Sequence, residues 1–276
     1  AAKLHNVRFM QMEFTLPDEY KEETELEKQR RIHDALITRG LQLISDSYLD
    51  HWEEEAKAAD VAFDRRLIDG RNFEGLVEDL DSGDYDLLVI GALGTGAVKH
   101  STVGSVTERV IRRSELDALV VRTPENWQLD GDGPIVVAFD GSEWSWGALK
   151  SACDLAKLSN RSVEVVVAIE ANDPAEALLD AHLRLARKRA RGWGISLQTT
   201  VLDGVASEVL NKHLEDSAAW LVVLGRHGSD AEDGATEPGS LIDHIVRYGP
   251  CNALIVNSAY RPEMTDATDR NVQQAI

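Results

Sequence analysis

Residues 86–122 read DLLVIGALGTGAVKHSTVGSVTERVIRRSELDALVVR, and the rest of the chain is organised around them. An apolar run, Leu87 to Ile90, is short enough for a buried strand and ends on Gly91, with Gly94 three residues later. Nine residues separate Gly94 from Gly104-Ser105. Beyond them, Val106, Val110 and Ile111 share one side of a helical repeat, while Glu108, Arg112 and Arg113 share the other. A second apolar run, Ala118 to Val121, closes the unit. The pattern predicts strand, glycine-punctuated loop, helix, strand.

Such a unit suits an anion. Gly91 and Gly94 let the backbone approach a bulky ligand, since no Cβ stands in the way. Gly104-Ser105 falls at a helix start, where free N–H groups and the helix dipole favour phosphate. The Ser105 and Thr107 hydroxyls can add donors, and Lys99 and His100 bring charge to the spacer. The competing reading is ordinary turn glycines followed by a serine N-cap. Neither the Walker A loop nor the Rossmann GxGxxG fits these residues.

The order strand, G-x2-G-x9-G-S, helix, strand resembles the nucleotide-binding signature of the universal stress protein family and matches its spacing residue for residue. The resemblance implies that Gly91, Gly94, Gly104, Ser105, Val106 and Thr107 cradle the phosphates and ribose of ATP or a related adenine nucleotide. Magnesium is an optional companion of the phosphates.

The pattern recurs downstream. Leu67-Ile68-Asp69-Gly70 returns as Val201-Leu202-Asp203-Gly204, and Gly91 and Gly94 return as Gly225 and Gly228, each 134 residues on. Ala118 to Val121 returns as Ala253 to Val256, 135 residues on. The expected fold is therefore α/β: two tandem, doubly wound, parallel five-stranded sheets, the first lacking its first strand. The resemblance implies the strand order 3-2-1-4-5, with the ligand crevice between the first and fourth strands. It also implies pairing through the last strands, either as an intrachain pseudo-dimer or in a homodimer.

Domain boundaries follow from the repeat. Residues 1–125 form the first copy, 126–133 a linker, 134–258 the second copy and 259–276 a mobile tail. Ala2-Lys3-Leu4 aligns with Ala156-Lys157-Leu158, which places the counterpart of Pro134 about twenty residues ahead of Ala1. The first copy is thus expected to be incomplete at its N-terminus. It also carries an insertion over residues 17–60, since Leu4 to Gly70 spans 66 positions against 46 from Leu158 to Gly204. The insertion reads as two helices broken near Gly40. Leu41, Ile44, Tyr48, Trp52 and Ala56 form a stripe suited either to core packing or to a protein partner.

The second copy keeps Asp140, which the resemblance makes a nucleoside contact and which could equally cap the helix after it. Its loop offers Gly225, Gly228, Gly239 and Ser240, with ten residues between the last two glycines and Asp230, Glu232, Asp233 and Glu237 among them. Like charge opposes phosphate there, so the first-copy loop is the better cradle and the second is expected to be degenerate.

At 276 residues the chain has room for two cores, and a net charge of −19 argues against nucleic acid. No apolar run approaches the ~18–20 residues of a membrane span, and two cysteines make no disulfide framework. Cytoplasm is the default. His100, His227 and His244 lack any metal-ligand spacing. The leading functional reading is a stress-response regulator that binds ATP without designed turnover. Its alternatives are a weak ATPase or nucleotide-dependent transferase, and a scaffold acting through the helical insertion.

Overall fold

The computed structural model describes residues 23–68, 72–94, 102–122, 132–170, 176–229 and 237–262. They divide between two units, Ala1–Asp69 and Gly70–Ile276.

In the first unit a single helix, α1 (Glu23–Ala58), runs for 36 residues. The expected break at Gly40 does not occur. One glycine costs a helix interior about 1 kcal/mol, and its flanks are rich in Leu, Arg, Glu and Gln. Leu41, Ile44, Tyr48 and Trp52 are exposed, so the stripe is not core. Residues 61–68, the counterpart of a third strand, are irregular. Arg65 from that segment reaches Asp50 and Glu53 of α1.

The second unit begins with α2 (Asn72–Ser82), β1 (Leu87–Gly91), α3 (Ser105–Arg113) and β2 (Asp117–Val121). It continues with β3 (Ile135–Ala138), α4 (Glu143–Ser159), β4 (Val163–Ile169), α5 (Glu176–Gly192) and β5 (Leu197–Asp203). It closes with α6 (Ala206–Asp216), β6 (Leu221–Gly225), α7 (Ser240–Tyr248) and β7 (Asn252–Val256). The strands lie in the order β1-β2-β7-β6-β3-β4-β5. Read from β5 inward, the second copy is third, second, first, fourth, fifth, and every pair within it is parallel.

The described strands of the two copies share one continuous sheet. Two strands of the first copy, β1 and β2, are among the described residues, and they extend the second copy's sheet. β2 joins β7 antiparallel, with Ala118, Leu119 and Val120 opposite Ile255, Leu254 and Ala253. In the order 3-2-1-4-5 the first strand bridges the two halves of a sheet. The outer edge of the fifth strand faces away from that bridge, which leaves β2 free to pair with its equivalent, β7. Residues 126–131 of the expected linker and 263–276 of the tail lie outside the described residues.

The second-copy strands read as unbroken apolar runs because both faces are covered. Leu221 and Val223 of β6 meet Trp146, Leu149 and Leu183 on one side. Val222 and Leu224 meet Leu210, Leu214, Ile242 and Ile245 on the other. β1 is covered on one face alone: Leu88 and Ile90 join the core, while Leu87 is 46% and Val89 59% exposed.

Contacts across the β2–β7 joint come in reciprocal pairs. Arg112 of α3 meets Asp243 of α7 at 3.1 Å, and Arg247 of α7 meets Glu108 of α3. These positions are equivalent in the repeat, 135 residues apart. The Arg122 amide donates to Asn252 Oδ1 at 2.7 Å, and the equivalent Asn257 amide donates to Asp117 Oδ1 at 2.7 Å. Each contact of one copy is thus repeated at the equivalent positions of the other.

Burial sets the expected cost of substitution. Trp146, 1% exposed between α4 and the sheet, should cost about 3–5 kcal/mol as Trp146→Ala. Val89→Thr on the open face should stay within about 0.5 kcal/mol. Urea unfolding followed by fluorescence and circular dichroism gives both values.

Candidate functional site

At the C-terminal ends of β3 and β6 the sheet opens into a crevice of about 130 Å³, partly open to solvent. Its walls are largely apolar, with Ala138, Val166, Ala168, Leu210, Leu224 and Leu241 among them. Asp140, Gly225, Gly228 and Gly239, all expected site residues, line it as well. Ser240 follows as the first residue of α7.

The helix start at this crevice is open. Gly239 is the N-cap of α7, with extended backbone and no side-chain cap. In the first copy Gly104 plays the same part for α3, also uncapped. The serine N-cap reading of the first-copy loop therefore fails, since Ser105, like Ser240, is the first helical residue. α4 is the contrast: Ser142 caps it, its side chain accepting from the Ser145 amide at 3.2 Å. Both open starts are fixed from below by one backbone bond. Gly104 N–H donates to Ala92 C=O at 2.7 Å, and Gly239 N–H to Arg226 C=O at 3.0 Å.

What a side chain would meet at each glycine separates two roles. Among the described residues, a Cβ on Gly94 would meet nothing within 4 Å, and one on Gly239 only Arg226 O at 3.9 Å. One on Gly104 would find ordinary contacts of 3.4–3.7 Å, and one on Gly91 a single contact at 3.5 Å. None of these four needs glycine for its backbone or its packing, so each leaves room for a ligand. Gly225 is different. A Cβ there would come within 2.5 Å of the Trp144 carbonyl carbon, which gives it a packing reason: α4 crosses β6 closely at this point. Gly228 would meet Asp140 Oδ2 at 3.2 Å.

Asp140 does not cap α4. Its Oδ1 accepts from the Ser142 amide (3.0 Å) and hydroxyl (2.6 Å), and its Oδ2 accepts from the Ser229 amide at 2.7 Å. The carboxylate thus latches the loop after β6 onto the end of β3. Thr107 is also committed, its hydroxyl donating to Gly91 C=O at 2.8 Å, so it is not a free donor for phosphate. Glu237 of the acidic spacer faces Arg112 at 3.3 Å. Asp230, Glu232 and Asp233 lie outside the described residues, as do Lys99 and His100.

Sequence reasoning missed Arg226 and Ser229. Arg226 is buried, and its side chain leaves the crevice for the C-terminus of α3, a reach across more than a hundred residues that no local pattern signals. His227, read as solvated or structural, packs edge-on against Trp144 with ring centroids 4.9 Å apart. Burial, aided by the Arg226 charge, holds its imidazole below the ordinary range, so it is neutral near pH 7. Cys153 and Cys251 are buried thiols pushed up to about 12 by burial, which makes them unreactive.

The profile of the universal stress protein family matches residues 4–122 and, a second time, residues 133–257. The chain belongs to the universal stress protein family. Universal stress protein Slr1230 of Synechocystis is 29% identical over 190 residues, a match that takes in 68% of this chain and 60% of that protein. The chain thus spans about three-fifths of that relative's length. The crystal structure of a universal stress protein from Archaeoglobus fulgidus superposes with a TM-score of 0.56 at 20% identity, over 76% of this chain and 81% of that one. A universal stress protein solved in complex with cAMP is 26% identical over 45% of this chain and 96% of its own, with a TM-score of 0.38.

His182 lies against Gly141 beneath the Asp140 turn. Burial lowers its pKa, with the Asp140 charge opposing. The unfolded chain takes up a proton near pH 6.5 that the folded chain resists. The stability from burying neutral His182 is therefore present above about pH 6.5 and is lost as pH falls toward the lowered folded value. His182→Gln should flatten that acid loss, read as a smaller shift of the urea midpoint between pH 7.5 and pH 5.

Proposed function

We propose that this universal stress protein is a regulatory binder of adenine nucleotide, ATP or a close relative, whose occupancy biases how the two copies pair. The observation that carries the reading is the uncapped, glycine-lined start of α7 at the mouth of an apolar crevice. A nucleobase suits the walls formed by Val166, Ala168, Leu210 and Leu241, and phosphates suit the amides after Gly239. Asp140 contacts the ribose by exchanging its bond to the Ser229 amide, so binding loosens the latch on the loop. Any magnesium enters with the nucleotide's phosphates.

The first-copy cradle, with Lys99 and His100 in its spacer, is the better phosphate site, while the nucleoside half of the site is built in the second copy. β2, β7 and the reciprocal α3–α7 contacts make the two copies an intrachain pair. Buried free thiols suit a reducing compartment, the cytoplasm. Among the described residues no helix is long and apolar enough to cross a membrane. A second reading, a protein-binding scaffold, is favoured by the exposed Ile44, Tyr48 and Trp52 of α1.

Calorimetric titration with ATP tests the proposal. The second crevice should bind weakly, and Asp230→Asn with Glu232→Gln and Asp233→Asn should tighten it by about tenfold or more, most at low salt. Gly239→Val, which the backbone accommodates, should abolish that binding while leaving the unfolding midpoint near wild type. With Gly104→Val closing the first-copy cradle, tight binding unaffected by Gly239→Val contradicts the assignment.

A further inference from the structure

Arg226 occupies two structures at once. Its main chain belongs to the crevice: the N–H donates to Val256 C=O at 2.9 Å and the C=O accepts from the Gly239 N–H that starts α7. Its side chain, in a residue 5% exposed, turns away and crosses to the first copy. Nη1 donates to Ile111 C=O (3.0 Å) and Ser114 C=O (2.8 Å), and Nη2 donates to Arg112 C=O (3.0 Å). These are two of the last carbonyls of α3 and that of its C-cap, Ser114, which have no partner within the helix. A planar guanidinium satisfies several at once and complements the negative end of the helix dipole.

α3 is the helix whose other end, at Gly104, is the first-copy cradle. Nine residues make a rod of about 13 Å, stiff enough to carry a displacement from end to end. The position equivalent to Arg226 in the first copy is Ala92, whose methyl cannot reach α7 in return. The guanidinium link is therefore one-sided, unlike the reciprocal Arg112–Asp243 and Arg247–Glu108 ion pairs beside it.

We propose that Arg226 is a positioning residue through which the second-copy crevice and the first-copy cradle sense each other's occupancy, so that the two nucleotide sites are not independent. A phosphate drawn to the amides after Gly239 pulls on the carbonyl of residue 226, and the guanidinium passes that shift to the C-terminus of α3. Linkage makes the effect reciprocal. The proposal rests on the nucleotide reading given above.

The test uses the full chain carrying Gly104→Val, which confines ATP to the second crevice. Calorimetry reports binding, and hydrogen exchange reports the amides of Val110 to Ser114. Saturating ATP should change their exchange rates by at least about fivefold. With Arg226→Met added, ATP should still bind and the response should vanish. Arg226→Lys, which keeps the charge but not the fork, should restore part of it and serves as the measurement if the methionine variant does not fold. Binding with unchanged exchange, or a response that survives Arg226→Met, overturns the coupling while leaving the nucleotide site standing. No heat at millimolar ATP overturns both.

Discussion

Ala118, Leu119 and Val120 of the first copy lie hydrogen-bonded against Ile255, Leu254 and Ala253 of the second, and the contacts on either side follow the register of that ladder. It places α3 beside α7, so that Arg112 meets Asp243 and Arg247 meets Glu108. Each half-exposed ion pair contributes at most about 1 kcal/mol. What they add is direction: a slip of one residue would turn the side chains of β2 to the wrong face and separate both pairs. The ladder also ends two edges that would otherwise be open to other chains.

From that joint the functional geometry follows in steps. Parallel strands put their C-terminal ends on one side, and the reversal of strand order between β3 and β6 leaves a crevice there. Helices that start at this rim without side-chain caps present free amides to it. The protein closes the rim with its own groups: Asp140 holds the Ser229 amide, and the Arg226 carbonyl holds the Gly239 amide. A ligand has to compete with the first of these bonds and to build on the second.

Much of this was legible in the residues. The glycine spacing and the repeat at 134–135 residues located β1, α3, β2 and their counterparts, because backbone approach and strand burial depend on local residue type. The contents of the crevice were less legible. Gly225 and Gly239 look alike in sequence, yet one accommodates α4 and the other leaves space, a distinction set by what crosses above them. Thr107 reads as a phosphate donor until its hydroxyl is found on Gly91 C=O. The Arg226 side chain spans the two copies, and such contacts leave no periodic trace. Gly40 failed as a helix break because propensity summed over α1 outweighs one residue.

The most direct measurement of the account is a backbone amide map of the chain titrated with ATP by nuclear magnetic resonance. Nucleotide seated at the start of α7 should shift the amides of Gly228, Ser229, Gly239, Ser240 and Leu241 most, with the Ser229 shift reporting release from Asp140. Shifts centred on α1, or none at millimolar ATP, would contradict it.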